Sequence, residues 1–279
     1  MIRKALIPIA GLGTRMGPLA RAVPKAMFPL VTARDGARPV VHRLVSEALT
    51  AGIERIALIV SPAHADMVRG YFAAADEADG SALGERIECI AQPAPEGFGE
   101  AVARGRDFVD GEPFLLFLGD YVYTGPAGGP SCAAQVSSAF DERAGAAMVG
   151  VQAIPVDELC RCGVCRGEFL GGNVYRCTDL IEKPDPETAR QRLATPGLPA
   201  GRFLAHFGIY AFSPALFDCL DERMAAGRSD GDEIQLTDAQ ALLLERHPED
   251  YHLLRVEGTA YDAGTPNGYA AAQAALFTS

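Results

Sequence analysis

Ala10-Gly11-Leu12-Gly13-Thr14-Arg15-Met16 places two glycines and a cation directly after an apolar run, Ala5 to Ala10. A glycine-rich turn after the first strand of a parallel sheet lets backbone N–H groups approach phosphate oxygens closely. Arg15 adds a planar fork able to grip a pyrophosphate with two parallel hydrogen bonds. The segment is not a P-loop, because no Gly-Lys-Ser/Thr follows, and it is a poor dinucleotide fingerprint, because Met16 holds the third glycine position. A loop around a triphosphate and a plain tight turn with a solvated arginine remain. Further on, the prolines of Val23-Pro24-Lys25-Ala26-Met27-Phe28-Pro29 stiffen the chain and fix where Lys25 points. Beside a phosphate loop, Lys25 becomes a candidate for the α-phosphate. Phe114-Leu-Leu-Phe-Leu-Gly-Asp120 ends a buried strand in a carboxylate, at the edge where open α/β sheets bind ligands. A carboxylate joined by phosphate oxygens suits Mg²⁺. In Gln92-Pro-Ala-Pro-Glu-Gly97, the Gln92 amide offers a donor and an acceptor to a pyrimidine edge, and Gly97 lets backbone approach that base. An ordinary loop and helix start explains the same residues equally well.

These groups need a sheet to carry them. Ala5–Ala10, Arg55–Val60, Arg86–Ala91 and Phe114–Leu118 are short, nearly continuous apolar runs, as parallel strands covered on both faces require. Val40, Val41, Leu44, Val45, Ala48 and Leu49 recur at helical spacing between the first two, and Gly52 stops that helix. Residues 63–75 and 99–109 read as further helices, so the first half is βαβαβαβ with right-handed crossovers. In the second half, 147–153, 175–182, 203–212 and 251–257 read as strands, and 214–226, 234–246 and 267–277 as helices. Gly/Pro-rich loops at 125–130, 196–201 and 227–231 are too short for domain linkers.

Composition bounds the function. Lys and Arg total 25 and Asp and Glu 36, a net charge of −11 over 279 residues. That excess of acid excludes a nucleic-acid coat but leaves room for a local cationic pocket. The AVILMFWYC fraction of 48% supports a sizeable core. Seven cysteines are an odd number, which reads as free thiols in a reducing compartment, and Cys160-x-Cys162-x₂-Cys165 with Cys177 beyond is not one of the usual paired zinc spacings. The first apolar run is too short for a signal sequence or a membrane span, so a cytoplasmic protein without a membrane partner is expected. No Ser–His–Asp ordering or His-rich cluster points to hydrolysis.

Gly-Leu-Gly-Thr-Arg-Met followed by Pro-Lys-x-Met-x-Pro-Leu resembles the sugar-1-phosphate nucleotidyltransferases, with the bacterial UTP–glucose-1-phosphate uridylyltransferases as the nearest branch. The resemblance runs from Ala10 to Pro266. It implies a Rossmann-like, mostly parallel open sheet with an inserted sugar-binding β region. Residues 1–279 would form a single nucleotidyltransferase domain, nucleotide-binding over about 1–125 and sugar-binding and C-terminal over about 126–279. Ala10, Gly11, Leu12, Gly13 and Thr14 would wrap the triphosphate with Arg15 and Lys25, and Gln92 and Gly97 would read the base. Asp120 and the late Asp262 of Tyr261-Asp-Ala-Gly-Thr-Pro266 would bind Mg²⁺. In Leu180-Ile-Glu182-Lys183-Pro, the resemblance assigns Glu182 to sugar hydroxyls and Lys183 to the sugar phosphate, where a solvated surface pair would otherwise be expected. Gly163 and Gly208 fall in segments similar to those that meet the sugar. Asp232, in Gly231-Asp-Glu-Ile-Gln-Leu-Thr-Asp238, is expected to cap a helix.

The implied reaction transfers a nucleotidyl group, with UTP favoured, to a sugar 1-phosphate, with glucose 1-phosphate favoured, and releases pyrophosphate. Relatives often self-associate, so a homo-oligomer is compatible with the resemblance. The alternatives are a uridylyl-, thymidylyl- or cytidylyltransferase for another sugar, or a non-catalytic regulatory relative. Against the last stands the set Arg15, Lys25, Asp120, Lys183 and Asp262. Departures from the branch are Ala26 for Glu, Glu100 for His, Cys162-Gly-Val-Cys165 for Tyr-Gly-Val-Val, and Phe203 for Asn. The Cys162–Cys165 and Phe203 changes are expected around the sugar pocket.

Overall fold

A computed structural model describes residues 1–226 and 233–277. Its strands are β1 (Lys4–Pro8), β2 (Pro29–Thr32), β3 (Gly36–Pro39), β4 (Arg55–Val60), β5 (Ile87–Ala91), β6 (Phe114–Phe117) and β7 (Tyr121–Thr124), then β8 (Ala147–Pro155), β9 (Gly163–Gly171), β10 (Val174–Glu182), β11 (Arg202–Phe212), β12 (Tyr251–Arg255) and β13 (Thr259–Asp262). Nine of them form one sheet in the order β5-β4-β1-β6-β11-β8-β12-β10-β9.

The first four strands of that order are parallel. The chain moves outward from β1 to β4 to β5, then returns to the other side of β1 with β6. The order reverses between β1 and β6, and a crevice opens there beyond the strand ends. Both faces are covered, which explains the unbroken apolar runs. Ala5 and Ile7 pack with Val40, Leu44 and Val68 on one face, and Leu6 packs with Ala101, Val102 and Phe108 on the other. This period of two is the strand geometry itself.

The inserted β region is built differently. β11 runs antiparallel to β6 and β8, β12 is parallel to β8, and β10 is antiparallel to β12 and β9. β9 also pairs with β11 through Leu204–Cys165 and Ala205–Val164. The strands β11, β8, β12, β10 and β9 therefore close into a ring. A register shift between His206 and Tyr210 interrupts the β11–β8 ladder, and such irregularities bend a strand. The ring carries Gly163 and Glu182 back toward the crevice.

Several elements were not expected. The hairpin β2–β3 follows the Lys25 segment and is clamped by the last helix, Pro266–Phe277, where Gln273 bonds both the N–H and the C=O of Val31 at 2.8 and 2.7 Å. The helix Cys132–Arg143 buries Cys132, Ala133, Val136, Ser137 and Phe140, an amphipathic stripe blurred by a cysteine, an alanine and a serine. Its Ser131 cap accepts from the Ala134 N–H at 3.2 Å. The expected 99–109 helix is two short pieces, Phe98–Ala103 and Arg106–Val109. Asp232 and the 227–231 loop lie outside the described residues. The helix after them begins at Leu236 with Gln235 at its N-cap. No helix among the described residues is long and apolar enough to cross a membrane.

Candidate active site

The turn after β1, the Lys25 segment and the end of β6 meet at the crevice. Gly13 opens a 3₁₀ turn over Thr14–Met16, and the Met16 N–H donates back to the Gly13 carbonyl at 2.9 Å. This turn aims Arg15 across the crevice. The Lys25 Nζ ion-pairs with Asp120 Oδ2. Arg15 reaches the same oxygen at 3.5 Å and Asp262 Oδ2 at 3.3 Å. Two cations thus face two carboxylates that lie far apart in sequence. A two-stranded ribbon brings those carboxylates together: β13 pairs antiparallel with β7, placing Asp262 opposite Tyr121, the neighbour of Asp120. Burial, and then the nearby Asp120 charge, push the Asp262 carboxyl above its ordinary value, while Arg15 opposes them.

Gln92 and Gly97 form the wall on the β5 side. The Gln92 N–H extends the ladder to the Val60 carbonyl at 2.8 Å. Gly97 has φ +119°, and a Cβ there would lie 2.5 Å from the Ile234 carbonyl oxygen. Only glycine satisfies both conditions.

Glu182 and Lys183 form the opposite wall, at the end of β10. Glu182 Oε2 accepts from Thr237 Oγ1 at 2.7 Å, and Oε1 lies 3.3 Å from Lys183 Nζ. Lys183 has φ +46°, an uncommon conformation for a side-chain-bearing residue, and its N–H donates to the Cys162 carbonyl at 3.1 Å. Gly163 and His206 border the same wall. Burial lowers the His206 imidazole to about 4 against the opposing pull of Glu182, so the ring is neutral at neutral pH. Its Nε2 contacts Cys165 Sγ at 3.3 Å.

These walls enclose a cleft of about 610 Å³. Ala10, Gly11, Leu12, Gly13, Thr14, Arg15, Lys25, Gln92, Gly97, Asp120, Gly163, Glu182, Lys183 and Asp262 all line it. Gly208 does not: it lies behind the wall, its carbonyl accepting from the Leu118 N–H at 3.0 Å and from Tyr123 Oη at 2.8 Å. It holds β11 against the Asp120 loop.

Of the departures expected near the sugar, only Cys162 fronts the cleft. Phe203 packs with Ile154, Leu159 and Leu193, because strand alternation turns residues 203 and 205 away from the face that carries His206. Cys165 is buried behind His206. Burial, and then Glu182, push the Cys162 thiol up to about 12, so it is not an activated nucleophile. Among the described residues, no group of three or more His, Cys, Asp or Glu side chains is arranged to hold a metal, and the seven cysteines are free thiols.

Sequence reasoning missed Arg161, His206, Thr237 and Gln240 as lining residues. His206 lies within an apolar strand and Gln240 within an amphipathic helix, where pattern reading assigns packing roles.

A glycine-rich turn and convergent cations at the switch point of a half-parallel sheet define an α/β protein built to bind a phosphorylated ligand. The comparisons narrow that class. The chain belongs to the nucleotidyl transferase family, which it matches over residues 4–279, and it is a nucleotidyltransferase enzyme. A UTP–glucose-1-phosphate uridylyltransferase of Bacillus subtilis (strain 168) is 31% identical over 284 residues, covering 96% of this chain and 86% of the relative. A Staphylococcus epidermidis protein of the same name is 30% identical over 284 residues, covering 96% and 90%. A UDP-glucose pyrophosphorylase crystallised with UDP-glucose is similar in structure, with a TM-score of 0.82, 29% identity and coverage of 99% of this chain and 98% of that one.

Proposed function

We propose that this enzyme joins UTP to glucose 1-phosphate, giving UDP-glucose and pyrophosphate. The observation that carries the proposal is the convergence of Arg15, Lys25, Asp120, Asp262, Gln92, Glu182 and Lys183 on one cleft. A phosphate oxygen of the sugar 1-phosphate attacks the α-phosphorus. The bond from that phosphorus to the bridging oxygen of the β-phosphate breaks in line, and its electrons leave with pyrophosphate. The attacking oxygen is already ionised, so no general base is required, and positioning and charge stabilisation do the catalysis.

Arg15 takes the departing pyrophosphate, Lys25 the transferring phosphate and Lys183 the phosphate of the nucleophile. Glu182, held by Thr237, accepts from sugar hydroxyls. The backbone of Ala10–Thr14 cradles the triphosphate. Oligomeric assembly and a cytoplasmic location are compatible with this function and are not required by it.

The carboxylate pair fits Mg²⁺. A Cβ at Gly264 would sit 3.0 Å from Asp262 Oδ1 and closer still to Asp120 Oδ2, so both carboxylates face one small gap. Two carboxylates leave most of the coordination shell to phosphate oxygens and water, as this hard cation requires. When bound, Mg²⁺ supplies charge neutralisation on the phosphate oxygens. Gly264→Ala is expected to fill that gap and raise the Mg²⁺ concentration for half-maximal rate by roughly 10–100-fold, in the range seen when a metal's supporting groups are disturbed. Activity titrated with Mg²⁺, beside a thermal melt, checks this.

The proposal as a whole is tested by a matrix of UTP, dTTP, CTP, ATP and GTP against several sugar 1-phosphates, scored by pyrophosphate release. The greatest kcat/KM is expected for UTP with glucose 1-phosphate. No release in any cell, despite tight UTP binding, would instead identify a regulatory relative.

A further inference from the structure

Glu100 stands where the related branch often has histidine, and the structure gives it a specific task. Its side chain is buried, at 4% exposure, in the first turn of the Phe98–Ala103 helix. Oε1 accepts from the Arg104 guanidinium, and Oε2 accepts from Gln92 Nε2 at 2.7 Å. Gln92 is itself 6% exposed, and its Nε2 also donates to the Gly97 carbonyl at 3.2 Å.

The orientation of a glutamine amide follows from its partners. The Gly97 carbonyl is an acceptor only, and so is a carboxylate held by a guanidinium. Both therefore require the amide nitrogen, and together they use its two hydrogens. Were the amide reversed, its oxygen would face two other oxygens, one of them charged. Oε1 is left as the single polar atom Gln92 can offer the cleft, and no donor among the described residues occupies it. Arg104, partly exposed at 44%, compensates the buried charge of Glu100 and keeps it an acceptor.

We propose that Glu100 is a positioning residue for base selection: it locks Gln92 so that its side chain presents an acceptor and no donor to the Watson–Crick edge of the base. Uracil carries an N–H donor at N3 and satisfies that acceptor. Cytosine carries a bare lone pair at N3, which meets the Gln92 oxygen with repulsion, and its one donor on that edge is the N4 amine, a position away from N3. This inference rests on the proposal that the cleft takes a pyrimidine nucleoside triphosphate. It adds the group that decides which pyrimidine, and it makes no distinction between uracil and thymine, whose N3 edges are alike.

The experiment measures kcat/KM for UTP and for CTP, with glucose 1-phosphate, in the wild-type enzyme and in Glu100→Gln, Glu100→Ala and Glu100→Asp. Glu100→Gln keeps the shape and, with its oxygen held by Arg104, turns its own N–H toward Gln92, so only the Gly97 carbonyl still favours the original amide orientation. The UTP-to-CTP ratio is expected to fall at least about tenfold in Glu100→Gln, the factor one discriminating hydrogen bond carries. Glu100→Ala removes one of the two acceptors and leaves only the Gly97 carbonyl to orient the amide, so it narrows the ratio in the same direction but by less, and it serves if Glu100→Gln does not fold. Glu100→Asp retains a carboxylate and is expected to keep most of the ratio. An equal loss for both triphosphates, or a ratio unchanged in Glu100→Gln and Glu100→Ala, overturns the positioning role while leaving the uridylyl transfer intact. A wild-type enzyme that uses neither pyrimidine triphosphate overturns the underlying proposal instead.

Discussion

Asp120→Asn is expected to lower kcat on the order of a hundredfold or more while the protein remains folded. Asparagine keeps the shape and one acceptor oxygen, so the loop after β6 and its packing against β11 are undisturbed. The charge is what disappears. Asp120 is the shared anionic partner of Lys25 and Arg15, and it faces Asp262 across the Gly264 gap. Without it, one carboxylate remains for Mg²⁺, and two cations face that one charge. A hundredfold corresponds to about 2.7 kcal/mol of transition-state stabilisation, a modest share of what a phosphoryl-type transfer requires. Steady-state kinetics at saturating Mg²⁺, with a thermal melt as control, measures it. An unchanged kcat would remove Asp120 from the chemistry and leave it an electrostatic brace for Lys25.

The second large effect is expected at Lys183. Lys183→Ala should lower kcat/KM for the sugar 1-phosphate by at least about tenfold with the KM for UTP little changed, because it deletes one charge-assisted contact to one substrate. The backbone at this residue complicates a plain alanine scan. Its φ of +46° is a conformation that costs any side-chain-bearing residue, including alanine, on the order of 1 kcal/mol. Two companions separate the causes. Lys183→Gly relieves the backbone and lacks the ammonium, so it should be as impaired as the alanine variant. Lys183→Arg keeps a cation and should recover much of the loss. Rescue by glycine would mean that the conformation at 183, rather than its charge, supports sugar-phosphate use.

Much of the first half of the chain was legible because each strand of its parallel sheet is covered on both faces and reads as an unbroken apolar run. The crevice position of Asp120 followed from that, and so did the place of the Ala10–Arg15 turn at the cleft. The pairing of Asp120 with Asp262 rested on family resemblance. Physically it depends on β7 and β13, a ribbon of four-residue strands whose mixed Tyr, Thr and Ala pattern carries little hydrophobic signal. The wall built from β9 and β10 was harder for a different reason. β9 breaks its apolar residues with three glycines and two charges along Gly163–Gly171, and its place is set by the hairpin with β10 together with a non-local pairing to β11. Phe203 shows the limit from the other direction. Its substitution looked like a pocket change, but only the facing of β11 decides that it joins a core. Glu100 looked like a minor mismatch until its two partners were known.

Ring closure by β9 has a consequence for how this protein behaves at high concentration. A strand at the end of a sheet exposes unpaired backbone groups that invite another chain to add on. β9 is covered on its second side at Val164 and Cys165, so among the described residues β5 is the margin of the nine-stranded sheet left unpaired along its whole length. That margin carries Glu88, which engages Arg55 of the neighbouring β4 at 3.1 Å. A charge at the second position of a five-residue strand is a gatekeeper against edge-to-edge aggregation. The sheet is thus guarded against self-templating along its fully open margin.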